Sequence, residues 1–526
     1  MRSLRSKAHG PGLVGSTIAV AIAISVSASV ASANAVIRTS STFKTPVRSS
    51  LVQHVGGVNT GQIHPFTIVL RGQSADDAHA VATYLRAYGL TVVASPNNHF
   101  LHVVGTLGQI GSAAHTGFER VKFGGETFVR TTSSANFPQA IAVRIRATSI
   151  NPGMKMKSLA IRPQASVVGP QTGYGPQTLA TVYNINSAYA SGINGAGQAV
   201  DIAACFNIDP NDIAFFESFY GLPPNVVHVI HVDGTTDQFG QVPPPDLEPT
   251  LDVERVIGTA PNARVNLYLV PDCFVSQFVD MFAQIAENGH ADALSVSYGL
   301  DESDYAQAGA GDLIIAQNAA LEAVRDAHIT TFAASGDNGS WGDPFIAVNF
   351  LDVLYPASDP NVIAVGGTTL ETSTIGTRLF EYAWGGSGGG VSGIFPIPPW
   401  QAATRGVASG LFKNLPDVSM DADPNTGVAT AFLVSFPPPI FPVGGTSASS
   451  PAWAGVMALV NQARAMHGHH MPLQNVAARL YTLRRNPNVF GDIRVGANGY
   501  FAAKRGYDNA TGIGVPNVGN LVRALQ

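Results

Sequence analysis

Three stretches of this 526-residue chain carry side chains that could react. The octet GGTSASSP at 444–451 sets Ser447 behind a glycine pair and ahead of the apolar run AWAGVMALV. Glycines let a backbone turn sharply, and a helix start aims free N–H groups at a reacting oxygen, so this is a setting for a serine nucleophile. It is equally a setting for a helix cap, since Thr446, Ser447, Ser449 and Ser450 could each accept from the first amides. In LEPTLDVE, Glu248 and Asp252 stand four apart, and Pro249 suits a first helical turn, so both carboxyls share one face. Like charges at that spacing disfavour each other and tend to keep a proton between them, though a solvated acidic helix start is the plainer alternative. In ITTFAASGDNGS an apolar run ends on Ser335-Gly336-Asp337, where an aspartate either faces a cleft or closes an Asx turn.

A reactive serine needs a partner that takes its proton. None of His228, His231, His290 or His328 lies in a glycine-rich helix start, and His467, His469 and His470 fall in the polar loop AMHGHHMPL. The base is therefore expected to be a carboxylate.

Two sets of elements must position these groups. From residue 63 the order is strand, helix, strand: HPFTIVLRG, SADDAHAVATYLRAYG, LTVVASP and HFLHVVGT. A second helical stretch, LGQIGSAAHTGF, precedes ERVKFGGETFVR, which reads as a hairpin with a Gly-Gly turn. That alternation suits a small α+β domain of ferredoxin-like type over 36–150. Residues 150–175 show no period and many turn residues, and read as a linker. Beyond it, QAVDIAACF, NVVHVIHV, ARVNLYLV, ADALSVSYG, ITTFAASGD and NVIAVGGTTL alternate with helical stretches such as DLIIAQNAALEAVRDAH. Short Val/Ile/Ala runs are what buried parallel strands look like, so 176–526 is expected to be a doubly wound α/β domain with its site at the strands' carboxyl ends.

Composition bounds the partners. Apolar residues make up 45% of the chain and charged ones 12%, against roughly 25% charged in an average protein. Residues 36–170 hold 13 Lys/Arg against four acids, and residues 171–526 hold 14 against 31, so a basic segment precedes an acidic one and the two should attract at neutral pH. The basic charges are scattered rather than clustered, so no nucleic-acid partner is expected. Arg2, Arg5 and Lys7, an apolar stretch and Ala33-Asn34-Ala35 have the order of a secretory signal over 1–35. No later stretch approaches 18 uninterrupted apolar residues, so a soluble, secreted protein with no membrane partner is expected. Export makes pairing of Cys205 with Cys273 possible, and two buried free thiols are the alternative.

Taken in order, LEPTLDVE, SGDNGS, SGGGVSGIFPIPPWQ, PDVSMDADPNTG and GGTSASSP resemble the sedolisin family of serine-carboxyl peptidases. Residues 36 to about 150 resemble that family's activation prodomain, of the pro-kumamolisin type. The resemblance implies a subtilisin-like catalytic domain, with Ser447 as nucleophile, Glu248 as general base and then acid, Asp252 orienting Glu248, and a protonated Asp337 as oxyanion donor. It implies that SGGGVS borders the substrate cleft and pairs with a peptide's backbone. In FGDIRVGANGYFAAKRGYDNATGIGVP it implies one structural Ca²⁺, held by the Asp492 and Asp508 carboxylates and the backbone oxygens of Ile493, Lys504 and Gly506. Lys504 stands where the family often has glycine. Cys205 and Cys273 follow strands that are neighbours in a subtilisin-like sheet, which favours a disulfide.

The function this implies is a secreted, monomeric, acid-acting endopeptidase made as a self-processing proenzyme. Its partners would be peptide or protein substrates and its own prodomain, acting as inhibitor and chaperone. A catalytically silent peptide-binding relative on the same fold is the alternative, and an esterase using the same serine would need a histidine partner.

Overall fold

The computed structural model describes residues 52–161, 172–232, 247–342, 350–433 and 439–526. The expected signal at 1–35 and part of the expected linker lie outside these residues.

The N-terminal unit is a four-stranded antiparallel sheet in the order Thr91–Ala94, Phe100–Thr106, Ile63–Leu70, Ile145–Thr148. Helices Ala75–Arg86 and Leu107–Ala114 follow the first and third strands of this sheet in chain order, which gives the βαββαβ order of a ferredoxin-like fold. Both helix starts are set locally. Ser74 accepts from the Asp77 amide, and Thr106 and Gln109 form a reciprocal capping box. The helices bury Val81, Leu85, Leu107 and Ile110 against Ile68, Leu101 and Val103 of the sheet. The hairpin Phe118–Phe123 to Glu126–Thr131 turns on Gly124 and Gly125, both at positive φ, and pairs with Gln53–Gly56.

The second unit is built on an eight-stranded sheet. Its order is Val227–His231, Arg264–Leu269, Ala199–Ala204, Ala293–Val296, Thr330–Ala334, Val362–Thr372, Arg378–Ala383, with Val418–Asp421 also pairing along Val362–Thr372. All pairings are parallel except that of Arg378–Ala383, so the sheet is the mostly parallel, doubly wound, subtilisin-like one expected. Every residue of Ala199–Ala204 and Ala293–Val296 is buried, as the continuous apolar runs require of strands covered on both faces. Val227–His231 differs from the expectation of a buried strand. It lies at the sheet edge and none of its residues is fully buried. Helix Thr446–Met466 packs on helix Leu247–Thr259 and on the central strands, which brings the two candidate catalytic stretches together.

The first unit sits on helices Val275–Asn288 and Gly311–Asp326 of the second. His102 Nε2 lies 2.8 Å from Glu287 Oε1, Arg146 pairs with Glu322, and Arg130 donates to the Ala308 carbonyl at 2.9 Å. Basic or ionisable groups of the N-terminal unit thus meet acceptors of the acidic one. Cys205 and Cys273, just past the ends of the paired strands Ala199–Ala204 and Arg264–Leu269, form a disulfide with Cα atoms 5.1 Å apart. The stretch read as a linker is held along 151–161 rather than free. The Met156 amide donates to Cys273 O, the Val275 amide to Met154 O, and Lys157–Ser158 adds a short strand to Tyr298–Asp301.

Candidate active site

The octet does not form a side-chain cap. Helix Thr446–Met466 begins after Gly445, which sits at φ +97 and offers no capping side chain. Ser449 instead donates to the carbonyls of Met420 and Asp421, and Ser450 to that of Phe332. Pro451 lies inside the helix rather than at its start. Lacking an amide hydrogen, it leaves the Ser447 carbonyl without its usual donor four residues on. Ser447 is buried in the first turn, its Oγ 3.5 Å from the Ser297 carbonyl. Both glycines are required by close approach: a Cβ at Gly444 would lie 2.3 Å from the Pro424 nitrogen, and one at Gly445 1.9 Å from the Leu159 carbonyl oxygen.

Glu248 and Asp252 lie one turn apart on helix Leu247–Thr259, with exposures of 1% and 0%. Glu248 Oε2 accepts from the Ser158 hydroxyl and from the amides of Leu159 and Ala160, both at 2.7 Å. Asp252 Oδ1 accepts from the Ser297 hydroxyl at 2.7 Å. Each carboxyl keeps one buried oxygen, Oε1 and Oδ2, that receives no N–H or O–H. Burial pushes the Glu248 carboxyl above its ordinary value, opposed by Ser158, Ser447 and the two amides. Burial and then the neighbouring Glu248 charge push Asp252 well above its ordinary value. The two cannot both ionise easily in this site.

Asp337 follows strand Thr330–Ala334 on a turn where Gly336 takes φ +113. Its Oδ1 accepts from the Thr446 amide at 2.7 Å and the Thr446 hydroxyl at 2.9 Å, while its buried Oδ2 has no donor. Burial pushes this carboxyl up to about 8, against the two Thr446 hydrogen bonds and with help from the Glu248 charge. Burial thus favours the protonated form of Asp337, and its donor-free Oδ2 lies beside Gly445, 2.7 Å from where a Cβ would stand.

A cleft of ≈ 210 Å³ opens beside these groups, lined by Asp337, Trp341, Leu300, Asp301, Asp304 and Asp352 together with Lys157, Ser158 and Leu159. The Gly-rich stretch at 387–392 lies directly behind this wall, Gly388 against Gly336 and Gly390 against Val353. Gly388 presses on the Asp337-bearing turn: its amide donates to Gly336 O at 2.7 Å, and a Cβ there would lie 1.9 Å from Ser335 O. The extended backbone in the cleft pairs with Tyr298–Gly299.

The site brings together all four expected side chains and adds two that sequence reasoning missed. Thr446 fixes Asp337 through its amide and hydroxyl, and Ser297 fixes Asp252. A threonine before a candidate serine and a serine ending a small-residue strand carry no spacing signal. Among the described residues, no histidine hydrogen-bonds to Ser447 or Glu248.

In the C-terminal loop the two aspartates clasp one segment. Asp492 Oδ1 accepts from the Gly506 amide, and Asp508 Oδ2 from the Lys504 amide, both at 2.9 Å. Asp508 is 1% exposed and held up by burial, its oxygens facing four backbone N–H or hydroxyl donors and no cationic side chain. A buried carboxylate compensated only by dipoles suits a cation, and carboxylate and carbonyl oxygens are Ca²⁺ donors. Among the described residues no group of three or more His, Cys, Asp or Glu converges, so backbone oxygens would have to complete the set.

A family model described as the subtilase family matches residues 233–489, and one described as the pro-kumamolisin activation domain matches residues 67–150. Kumamolisin of Bacillus sp. (strain MN-32) is 32% identical over 376 residues, 67% of this chain and 64% of that protein. This chain thus spans a little under two thirds of that relative's length. Sedolisin of Pseudomonas sp. (strain 101) is 26% identical over 474 residues, 84% of this chain and 78% of that protein. The solved structure of Pseudomonas sedolisin, a serine-carboxyl proteinase complexed with pseudo-iodotyrostatin, superposes with a TM-score of 0.59 at 26% identity, over 68% of this chain and 98% of that one.

Proposed function

The chain belongs to the sedolisin family, and from that premise we propose that it is a serine-type endopeptidase made as a self-processing proenzyme, exported and working in acid. The observation that carries the reading is the Glu248 carboxyl, buried beside the Ser447 hydroxyl on one side and Asp252 on the other, with no histidine in reach among the described residues.

In the proposed reaction Ser447 Oγ attacks the peptide carbonyl carbon and gives its proton to Glu248. A proton held between the donor-free oxygens of Glu248 and Asp252 satisfies both and leaves one negative charge to accept it. Protonated Asp337 and the amides of the helix start donate to the oxygen that gains charge, a stabilisation worth roughly 3–4 kcal/mol per donor. Glu248 then hands the proton to the departing nitrogen. Asp337 must stay protonated throughout, so activity falls on the alkaline side as it ionises. Entry of water after the cleft empties weakens the burial that holds Asp337 at about 8, which moves that limb toward acid.

The N-terminal unit is the activation domain in this reading, with 1–35 as signal, 36–150 as prodomain and 151–175 as the segment to be cut. The clasp of Asp492 and Asp508 on one segment supports one Ca²⁺, which would take these two carboxylates, displace Arg494 from Asp492 Oδ2, and be completed by the backbone oxygens of Ile493, Lys504 and Gly506. When bound, it would cross-link the two ends of the 492–508 loop and take no part in the chemistry.

The test compares full-length wild type with Ser447→Ala and Glu248→Gln on denatured protein at pH 3–5 and pH 7. Each variant is expected to lose on the order of 10³-fold or more of the acid activity. Hydrolysis that survives in Ser447→Ala would sink the reading.

A further inference from the structure

Residues 157–161 cross the site as a substrate would. On one side Lys157 and Ser158 pair antiparallel with Gly299 and Tyr298. On the other, Ile161 and Gly444 exchange both backbone hydrogen bonds, Ile161 N–H to Gly444 O at 2.9 Å and Gly444 N–H to Ile161 O at 2.8 Å. Between these two clamps lies one dipeptide, Leu159-Ala160. The Leu159 carbonyl oxygen abuts Gly445 on the side where Asp337 Oδ2 also approaches: a Cβ placed there would be 1.9 Å from the first and 2.7 Å from the second. The Ala160 amide donates to Glu248 Oε2 at 2.7 Å.

Resting on the peptidase reading above, we infer that Leu159–Ala160 is the first bond the enzyme cleaves in its own chain, and that the acidic flank of the cleft selects a cation at the position Lys157 holds. The neighbouring Ser158–Leu159 bond also places its nitrogen on Glu248, at 2.7 Å, but the carbonyl that meets Gly445 belongs to Leu159. The selection for a cation follows from Lys157 Nζ, 3.8 Å from Asp304 Oδ2, a carboxylate whose side chain is 3% exposed; Asp352 in the same cleft wall, pushed well above its ordinary value by burial and by Asp301, adds an acceptor rather than a charge in acid. A peptide with a basic residue two positions before an apolar one would seat in the same register.

The step balances as a hydrolysis. Ser447 Oγ bonds to the Leu159 carbonyl carbon and its proton passes through Glu248 to the Ala160 nitrogen as the C–N bond breaks. Water then adds to the Leu159 ester, one proton returns to Ser447 Oγ, and the products are a Leu159 carboxyl and an Ala160 amine.

The test acidifies full-length wild type and Ser447→Ala, and reads intact mass and N-terminal sequence at the earliest time points. Wild type should yield a first new N-terminus at Ala160, and Ser447→Ala should stay whole. The matured enzyme should cut a synthetic peptide matching residues 155–164 between its Leu and Ala, and should cut the same peptide with Glu in place of Lys157 about tenfold more slowly. Ser447-dependent hydrolysis of denatured protein with a first cut at Ser158–Leu159 or elsewhere overturns the bond assignment and leaves the peptidase reading standing. Equal rates on the two peptides overturn the cation preference. Absence of any Ser447-dependent hydrolysis overturns both the inference and the reading beneath it.

Discussion

Replacing Asp337 by Asn separates the protonation of this residue from its shape. The amide keeps an oxygen for the two Thr446 hydrogen bonds and puts an N–H₂ donor where the donor-free Oδ2 stands. Asp337 is raised from 3.8 to about 8, chiefly by burial. A carboxyl whose folded value is raised contributes stability that is fully present below the unfolded value and is lost as pH climbs toward the folded one. Each unit is worth ~1.4 kcal/mol, so between pH 4 and pH 7 the cost to wild type reaches roughly 4 kcal/mol, reduced to about 2–4 by partial solvation of the turn. Asn has no proton to lose. In a Ser447→Ala background, which keeps the chain intact, the stability advantage of Asp337→Asn should grow by that amount from pH 4 to pH 7. Urea-denaturation midpoints at three pH values measure it, with the other carboxyls cancelling in the difference. In the active chain the same variant should hold its rate at neutral pH better than wild type, whereas Asp337→Ala should lose about 10²–10³-fold at every pH. Parallel pH curves for the two stabilities would show that Asp337 ionises at an ordinary value, and the proposed oxyanion donor would then fail.

Two further outcomes are expected. The Cys205–Cys273 bridge closes a 68-residue separation, so unreduced protein should take up no alkylating reagent, and Cys205→Ser should lose roughly 4 kcal/mol of stability; alkylation without reductant would count against it. If Asp492 and Asp508 hold Ca²⁺, a chelator should lower Tm by several degrees in wild type and leave Asp508→Ala unmoved; equal chelator shifts in both would remove Ca²⁺ from that loop.

The parts of this architecture that repeat were legible in the sequence, and the parts that rest on single contacts were not. Glu248 and Asp252 were readable as a pair because helical spacing alone puts residues four apart on one face. Asp337 was readable as the residue that ends an apolar strand. The strand runs gave the central sheet, and Ser74 marked the first helix start of the N-terminal unit, whereas the capping box of Thr106 and Gln109 emerged only in the structure. Ser447 stayed ambiguous on its own residues, because glycines and hydroxyls serve a cap and a nucleophile alike; the cap reading fails only once Ser449 and Ser450 are seen to spend their hydroxyls on distant carbonyls. Thr446 acts through two hydrogen bonds and Ser297 through one, each across more than 40 residues of chain, and such contacts have no period. The glycines at 387–390 were read as bordering the substrate cleft from the family resemblance alone; that Gly388 must also pack on Ser335 was not legible, because this contact spans more than 50 residues of chain. Val227–His231 has the apolar content of a central strand, and edge position is a property of the whole sheet rather than of five residues.

The disulfide also works as the zero mark of a ruler. Cys273 is held to the sheet by Cys205, its carbonyl takes the Met156 amide at 2.7 Å, and the Val275 amide returns to Met154 at 2.8 Å. Met156 is thereby indexed to the scaffold, and counting three residues onward sets the Leu159 carbonyl beside Gly445. Inserting or deleting one residue between them would advance or retard the chain by about 3.3 Å and present a different peptide bond with its faces exchanged. In the proposed self-cleavage the choice of bond would thus be stored partly as a length, measured from a covalent anchor.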